Sequence, residues 1–249
     1  MGTRFDLLYV IEDESAGEHL WDKIRLELIR LDKLFNRFDT ESEVSRINAG
    51  ACLSPFIVSA EMWEILLSCR MYHKLTNGLF DITLKNYNNI SLNDENKSVI
   101  FAEKDLQLDF GGYAKGYAIE KIKEIIIENE VKNSFINFGN SSIYALGNHP
   151  YGDCWSIGIE NPYKKGEVLG EYKLKDNAMS TSGNMPSNPR HIVNPFTGKY
   201  NEEKQVVGVI TKNSTDAEVL STSLMISQEG EEKKILNNFN VSDRFIYKL

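Results

Sequence analysis

Leu108-Asp109-Phe110-Gly111-Gly112-Tyr113-Ala114-Lys115-Gly116 is the stretch on which the reading of this chain turns. Apolar residues alternate with polar ones over Leu106–Phe110, which predicts a strand that gives way at Asp109. Gly111 and Gly112 carry no Cβ and let the backbone come close to a ligand. From about Gly116 to Asn129 the residues Ala118, Ile119, Ile122, Ile125 and Ile126 recur at helical spacing, so a helix opens just beyond the glycines. Its free N–H groups and the Lys115 ammonium converge on one point, which suits a phosphate. The GKS or GKT ending of a P-loop is absent. The same residues also suit a plain strand–turn–helix with a solvated lysine.

Outward from this turn, helices and strands are mixed without a regular βαβ repeat, which predicts an α+β fold of antiparallel sheets with packed helices, one domain over residues 1–249. Phe5, Leu7, Tyr9 and Ile11 alternate as in a half-buried strand. Ser15-Ala16-Gly17-Glu18 reads as a capping box ahead of a long amphipathic helix that ends near Phe35. A second helix starts at Ser59, and another fits Asp216–Ser227, followed by the charged stretch Glu229–Lys234. Further strands are expected at Val99–Phe101, Ser134–Phe138, Trp155–Ile159, Glu171–Leu174 and Val206–Thr211, and a loop at Lys85–Lys97.

Composition narrows the function. The chain has 249 residues and a net charge of −8, which argues against a phosphate-backbone binder and so against nucleic acid as partner. Cys52, Cys69 and Cys154 are too sparse for a disulfide framework or a zinc site. No run approaches the roughly 20 apolar residues of a transmembrane helix. Met1-Gly2-Thr3 does not begin a signal peptide. That fits a cytoplasmic protein if Met1 is the native start, and a periplasmic or membrane-anchored one if a leader has been removed.

Several other segments carry candidate chemistry. Met179–Asn184 is small and rich in hydroxyls that can meet a ligand. His191–Gly198 contains Asn-Pro and Thr-Gly turn steps. No triad partner accompanies His191, so it is expected to hold this turn against a ligand rather than move a proton. Glu218 and Thr222, four apart on a helix, can offer two oxygens to a hard cation, or form an ordinary polar face; Asp216 competes for the carboxylate role. Phe38, in the polar segment Asn36–Asn48, offers a surface for a planar ligand or packs in the core; Gly78–Thr83 is similar in character.

Taken in order, these segments resemble the ApbE family, the FAD:protein FMN transferases. Met1–Thr3 matches M-G-T, Ser42–Asn48 matches S-E-x-S-R-x-N, and Gly78–Thr83 matches G-x-F-D-x-T. Asp109–Gly116 matches D-x-G-G-x-A-K-G, Thr181–Gly183 matches T-S-G, and His191–Gly198 matches H-I-x-x-P-x-T-G. Ala217–Leu224 resembles A-D-A-L-A-T-A-L. The resemblance implies a T-fold-like α+β architecture, FAD as substrate and Mg²⁺ as cofactor. It implies transfer of FMN to a Thr or Ser of an acceptor flavoprotein, with AMP released. It places Met1, Phe38, Leu79, Phe80, Asp81, Asp109, Lys115, Thr181, His191 and Ile192 at the FAD site. Mg²⁺ falls to the Gly112 carbonyl, Glu218 and Thr222, and Lys115 and Glu218 take the catalytic roles. Three features depart from the pattern: Glu218 replaces the usual Asp, Asp109 follows Asp81 by only 28 positions, and Phe138–Ser142 replaces a glycine pair. A non-transferring FAD-binding protein, or a metal-dependent FAD pyrophosphatase, is the alternative function.

Overall fold

The computed structural model describes residues 2–84, 86–186, 191–228 and 230–249. Its framework is a six-stranded antiparallel sheet of β1 (Phe5–Tyr9), β5 (Ser134–Phe138), β6 (Ser142–Leu146), β9 (Asn177–Gly183), β10 (Gln205–Thr211) and β11 (Val241–Lys248), in that spatial order. Three of the connections between its strands carry further helices or strands among the described residues. Between β1 and β5 the chain builds α1 (Glu14–Phe35), α2 (Glu43–Gly50), β2 (Phe56–Ile57), α3 (Ala60–Leu75), β3 (Ile90–Asn93), β4 (Ser98–Phe101) and α4 (Ala114–Glu128). Between β6 and β9 it makes the hairpin β7 (Trp155–Glu160) and β8 (Val168–Leu174). Between β10 and β11 it makes α5 (Ser214–Leu224) and α6 (Glu231–Leu236). This is the expected α+β mixture of antiparallel sheets and packed helices.

β10 shows why the sheet is sandwiched. All seven of its residues are buried, so both faces must be covered. Val207 and Val209 pack with Leu220 and Leu224 of α5, while Val206 and Ile210 pack with Trp155, Ile159 and Phe245 on the hairpin side. Gly208 lies under the Phe245 ring, where a Cβ would come within 2.0 Å of it. The largest core joins α1, α3 and α4, with Leu20, Ile24, Met62, Ile119 and Ile122 fully buried. Burying each such side chain contributes about 1.5–3 kcal/mol.

The structure corrects several local expectations. α1 is capped by Asp13, which accepts from the Ser15 and Ala16 amides, and not by Ser15. Leu106–Phe110 is not a strand: the Asn48 side chain pairs with both Leu108 backbone groups, and the Asp109 amide donates to Ile82 O. A side-chain amide thus takes the place of a neighbouring strand. The expected loop Lys85–Lys97 contains β3, paired with β4; Lys85 itself is outside the described residues. The polar segment Asn36–Asn48 contains the start of α2, capped by Ser42. The charged stretch Glu229–Lys234 contributes to α6, with Glu229 outside the described residues.

Candidate active site

One glycine sets the geometry of the site. A Cβ on Gly116 would fall 2.5 Å from Ser214 O and 2.7 Å from Thr215 Cα, so only glycine lets α4 lie against the start of α5. That approach brings Lys115, in the first turn of α4, to Glu218 in α5, and the two form an ion pair. The Glu218 side chain is 4% exposed and that of Lys115 22%. Glu218 also accepts hydrogen bonds from the hydroxyls of Ser142 and Ser180, the latter at 2.9 Å. Burying a carboxylate is costly unless it is paired and hydrogen-bonded in this way.

The turn ahead of α4 completes one wall. Asp109 Oδ1 accepts from the Gly111 amide at 2.8 Å, and Asp109 Oδ2 pairs with Arg37 at 3.1 Å. Gly112 sits beside Thr222: a Cβ there would be 3.3 Å from Thr222 Oγ1. The opposite wall is the segment after β9. There Asn194 Oδ1 accepts from the Phe196 and Thr197 amides, and Val193 bridges Tyr200.

These pieces enclose a cavity of about 590 Å³, within the usual range for small-molecule sites. Leu79, Phe80, Asp81, Asp109, Gly112, Lys115, Thr181, His191, Ile192, Glu218 and Thr222 all line it. Phe38 does not. It is 84% exposed, has Arg37 over its ring, and borders an adjoining cavity of about 670 Å³. Arg37, Asp109, Gly111, Lys115, Gly139 and Ser141 belong to both, so the two form one continuous cleft. Met1 lies outside the described residues, as does Arg190.

Hydrogen bonds distinguish the residues that line the cleft. The Asp81 carboxylate is taken up by the Thr83 amide and hydroxyl, both at 2.7 Å, and by the Tyr87 amide, so it shapes the loop that lines the cleft with Leu79 and Phe80. The 193–200 turn carries the Asn194 hydrogen bonds and the Val193–Tyr200 bridge, and the exposed His191, just ahead of it, lines the cavity. Sequence reasoning passed over Arg37, Ser142 and the pairing of Ser180 and Ser182 with α5. A signal was there: residues 180 and 182 share one face of a strand, and 218, 221 and 222 share one face of a helix.

Asp216, the competing carboxylate, points to a different place. It accepts from the Tyr72 hydroxyl at 2.6 Å and does not line the cleft. Burial, opposed by that hydrogen bond, pushes its pKa above the ordinary carboxylate range. Its ionised form therefore costs stability at neutral pH, and this cost disappears as pH falls through the raised value to the ordinary one. Asp216→Asn keeps an acceptor for Tyr72. It should shift the melting temperature little, and any gain at pH 7 should shrink as pH is lowered.

Among the described residues no group of three His, Cys, Asp or Glu side chains is placed to hold a metal, and no helix is long and apolar enough to cross a membrane.

Known proteins resemble this chain throughout its length. The profile of the ApbE family matches residues 1–90 and 83–245. A FAD:protein FMN transferase of Chlamydia muridarum is 27% identical over 233 residues, which covers 78% of this chain and 71% of the relative. One from Klebsiella pneumoniae is 22% identical, covering 90% and 79%. Among solved structures, the flavin transferase ApbE from Vibrio cholerae superposes with a TM-score of 0.84 at 20% identity, covering 99% of this chain and 89% of that one. The apo flavinyl transferase ApbE of Pseudomonas stutzeri gives 0.81 at 23% identity, covering 100% and 91%. These likenesses show the fold, an ApbE-like α+β architecture.

Proposed function

Because the chain belongs to the ApbE family, we propose that it transfers FMN from FAD to a Thr or Ser hydroxyl of an acceptor flavoprotein and releases AMP. The observation that carries this reading is the convergence of Lys115, Glu218, Thr222 and Gly112 on one cleft, beside a second cavity bordered by Phe38. The names of the relatives support the same activity.

In this reaction the bond between the FMN phosphorus and the bridging oxygen breaks. The acceptor oxygen bonds to that phosphorus, and AMP leaves with the bridging oxygen. Such phosphoryl chemistry needs alignment and charge stabilisation more than covalent help. The Lys115 ammonium, at the start of α4, attracts the pyrophosphate and is drawn toward it from Glu218. Arg37, held by Asp109 where the two cavities meet, adds a second cation. His191 stands in the cleft wall and takes the proton of the acceptor hydroxyl.

Mg²⁺ fits the donor set. Glu218, Thr222 and the Gly112 carbonyl are all hard oxygen donors, and Thr222 lies against Gly112. So few protein ligands suit a cation whose remaining positions go to water and phosphate oxygens. When bound, Mg²⁺ supplies neutralisation of the charge that develops on the phosphates. The test is incubation with FAD, Mg²⁺ and an acceptor domain, read by intact mass and AMP release.

A further inference from the structure

We propose that Ser180, Ser221 and Ser182 form a one-way chain of hydroxyls that prepares Glu218 and Thr222 as a matched pair of oxygen ligands. The proposal deepens, and rests on, the reading of those two residues as cation ligands. Ser180 Oγ donates to Glu218 Oε2 at 2.9 Å. Ser221 Oγ lies 3.1 Å from Ser180 Oγ, and Ser182 Oγ lies 2.9 Å from Ser221 Oγ. Ser182 Oγ then lies 3.4 Å from Thr222 Oγ1. Ser180, Ser221 and Glu218 are 1%, 0% and 3% exposed, so bulk water does not satisfy them.

The direction of the chain follows from counting protons. Each hydroxyl has one, and an ionised carboxylate only accepts. The Ser180 proton therefore goes to Glu218, and Ser180 can only accept from Ser221. Glu218 O, at 3.1 Å, is the other acceptor open to Ser221, and the polarised Ser180 oxygen is the better one. Ser182 then donates to Ser221, and Thr222 donates to Ser182. At the end of the chain, both lone pairs of Thr222 Oγ1 remain for a cation. At its head, Glu218 Oε2 is filled by Ser142 and Ser180, which leaves Oε1, the oxygen shared with Lys115. Glu218 thus offers a single oxygen, released when FAD phosphates draw Lys115 away.

These serines are positioning residues: they act through Glu218 and Thr222. A network that merely packs α5 onto β9 would cost stability when cut, not cation affinity. The experiment titrates Mn²⁺ into protein saturated with FAD and no acceptor, reading free Mn²⁺ by electron paramagnetic resonance. FAD affinity without cation is measured in parallel by flavin fluorescence. Ser182→Ala and Ser221→Ala should each weaken Mn²⁺ binding about fivefold, the scale of one hydrogen bond, with FAD affinity within about twofold. Ser182→Thr keeps a hydroxyl and should bind Mn²⁺ like wild type. If Ser221→Ala does not fold, Ser182→Ala, at a half-buried position, decides alone. Unchanged Mn²⁺ affinity in the folded alanine variants overturns the chain. Glu218→Gln separates this from failure of the underlying reading. If it binds Mn²⁺ as wild type does, or if wild type binds none, the ligand assignment falls and the chain with it.

Discussion

Glu218→Gln should lose cation-dependent AMP release from FAD by about 100-fold or more while binding FAD nearly as well as wild type. The variant keeps the side-chain size and an oxygen that still accepts from Ser142 and Ser180, so the packing of α5 on β9 survives. It removes the charge. Lys115 loses its partner, but at 22% side-chain exposure it reaches solvent or the pyrophosphate. A truncation to alanine would be less informative, because it opens a void among buried hydroxyls. Glu218→Asp keeps the charge and should keep release cation-dependent. Activity of Glu218→Gln equal to wild type across a Mg²⁺ titration would remove Glu218 from the chemistry.

His191→Gln should slow FMN transfer by about 10²–10⁴-fold, the usual contribution of a general base, with FAD affinity unchanged. The alternative, expected from the sequence, is a histidine that holds its turn. In the structure that turn is tied by Asn194 and by the Val193–Tyr200 bridge, and the imidazole lines the cleft. Glutamine can hydrogen-bond but cannot take a proton near neutral pH. Single-turnover rates with and without acceptor separate the two roles. Loss of FAD affinity together with rate would restore the turn-holding role; a wild-type rate would exclude His191 as the base.

Elements with a strong apolar period were legible in the chain itself. α4 carries isoleucines at helical spacing, and β5 matches its expected bounds, Ser134–Phe138. α2 buries only Val44 and Ile47 among polar neighbours, so it has almost no apolar stripe to read. β9, with Ser180, Thr181, Ser182 and Gly183, has the composition of a ligand loop; it is a strand because β6 and β10 pair with it on both sides. The error at Leu106–Phe110 has a similar cause: alternation is present, but the backbone partners of Leu108 and Asp109 are a side chain 60 positions away and a loop carbonyl rather than a strand.

The site was legible as a set and not as roles. Motif order brings together residues from α4, β9, α5 and three loops, and the structure places eleven of the named positions around one cavity. Spacing alone does not tell a carboxylate that builds a turn, as in Asp81 and Asp109, from one buried at the centre of a cleft, as in Glu218. Nor does it choose between Asp216 and Glu218. That choice is made by Gly116, which sets α4 against α5, and by Tyr72, which takes Asp216 on another face.

The most direct measurement is the intact mass of an acceptor flavoprotein domain after incubation with this chain, FAD and Mg²⁺. The acceptor should gain the mass of one FMN less water on a Thr or Ser, with one AMP released per acceptor modified and no gain when Mg²⁺ is chelated. AMP and free FMN appearing at the same rate with an unmodified acceptor would make the chain a pyrophosphatase, and FAD bound but uncleaved would make it a binding protein; either result would contradict the transfer.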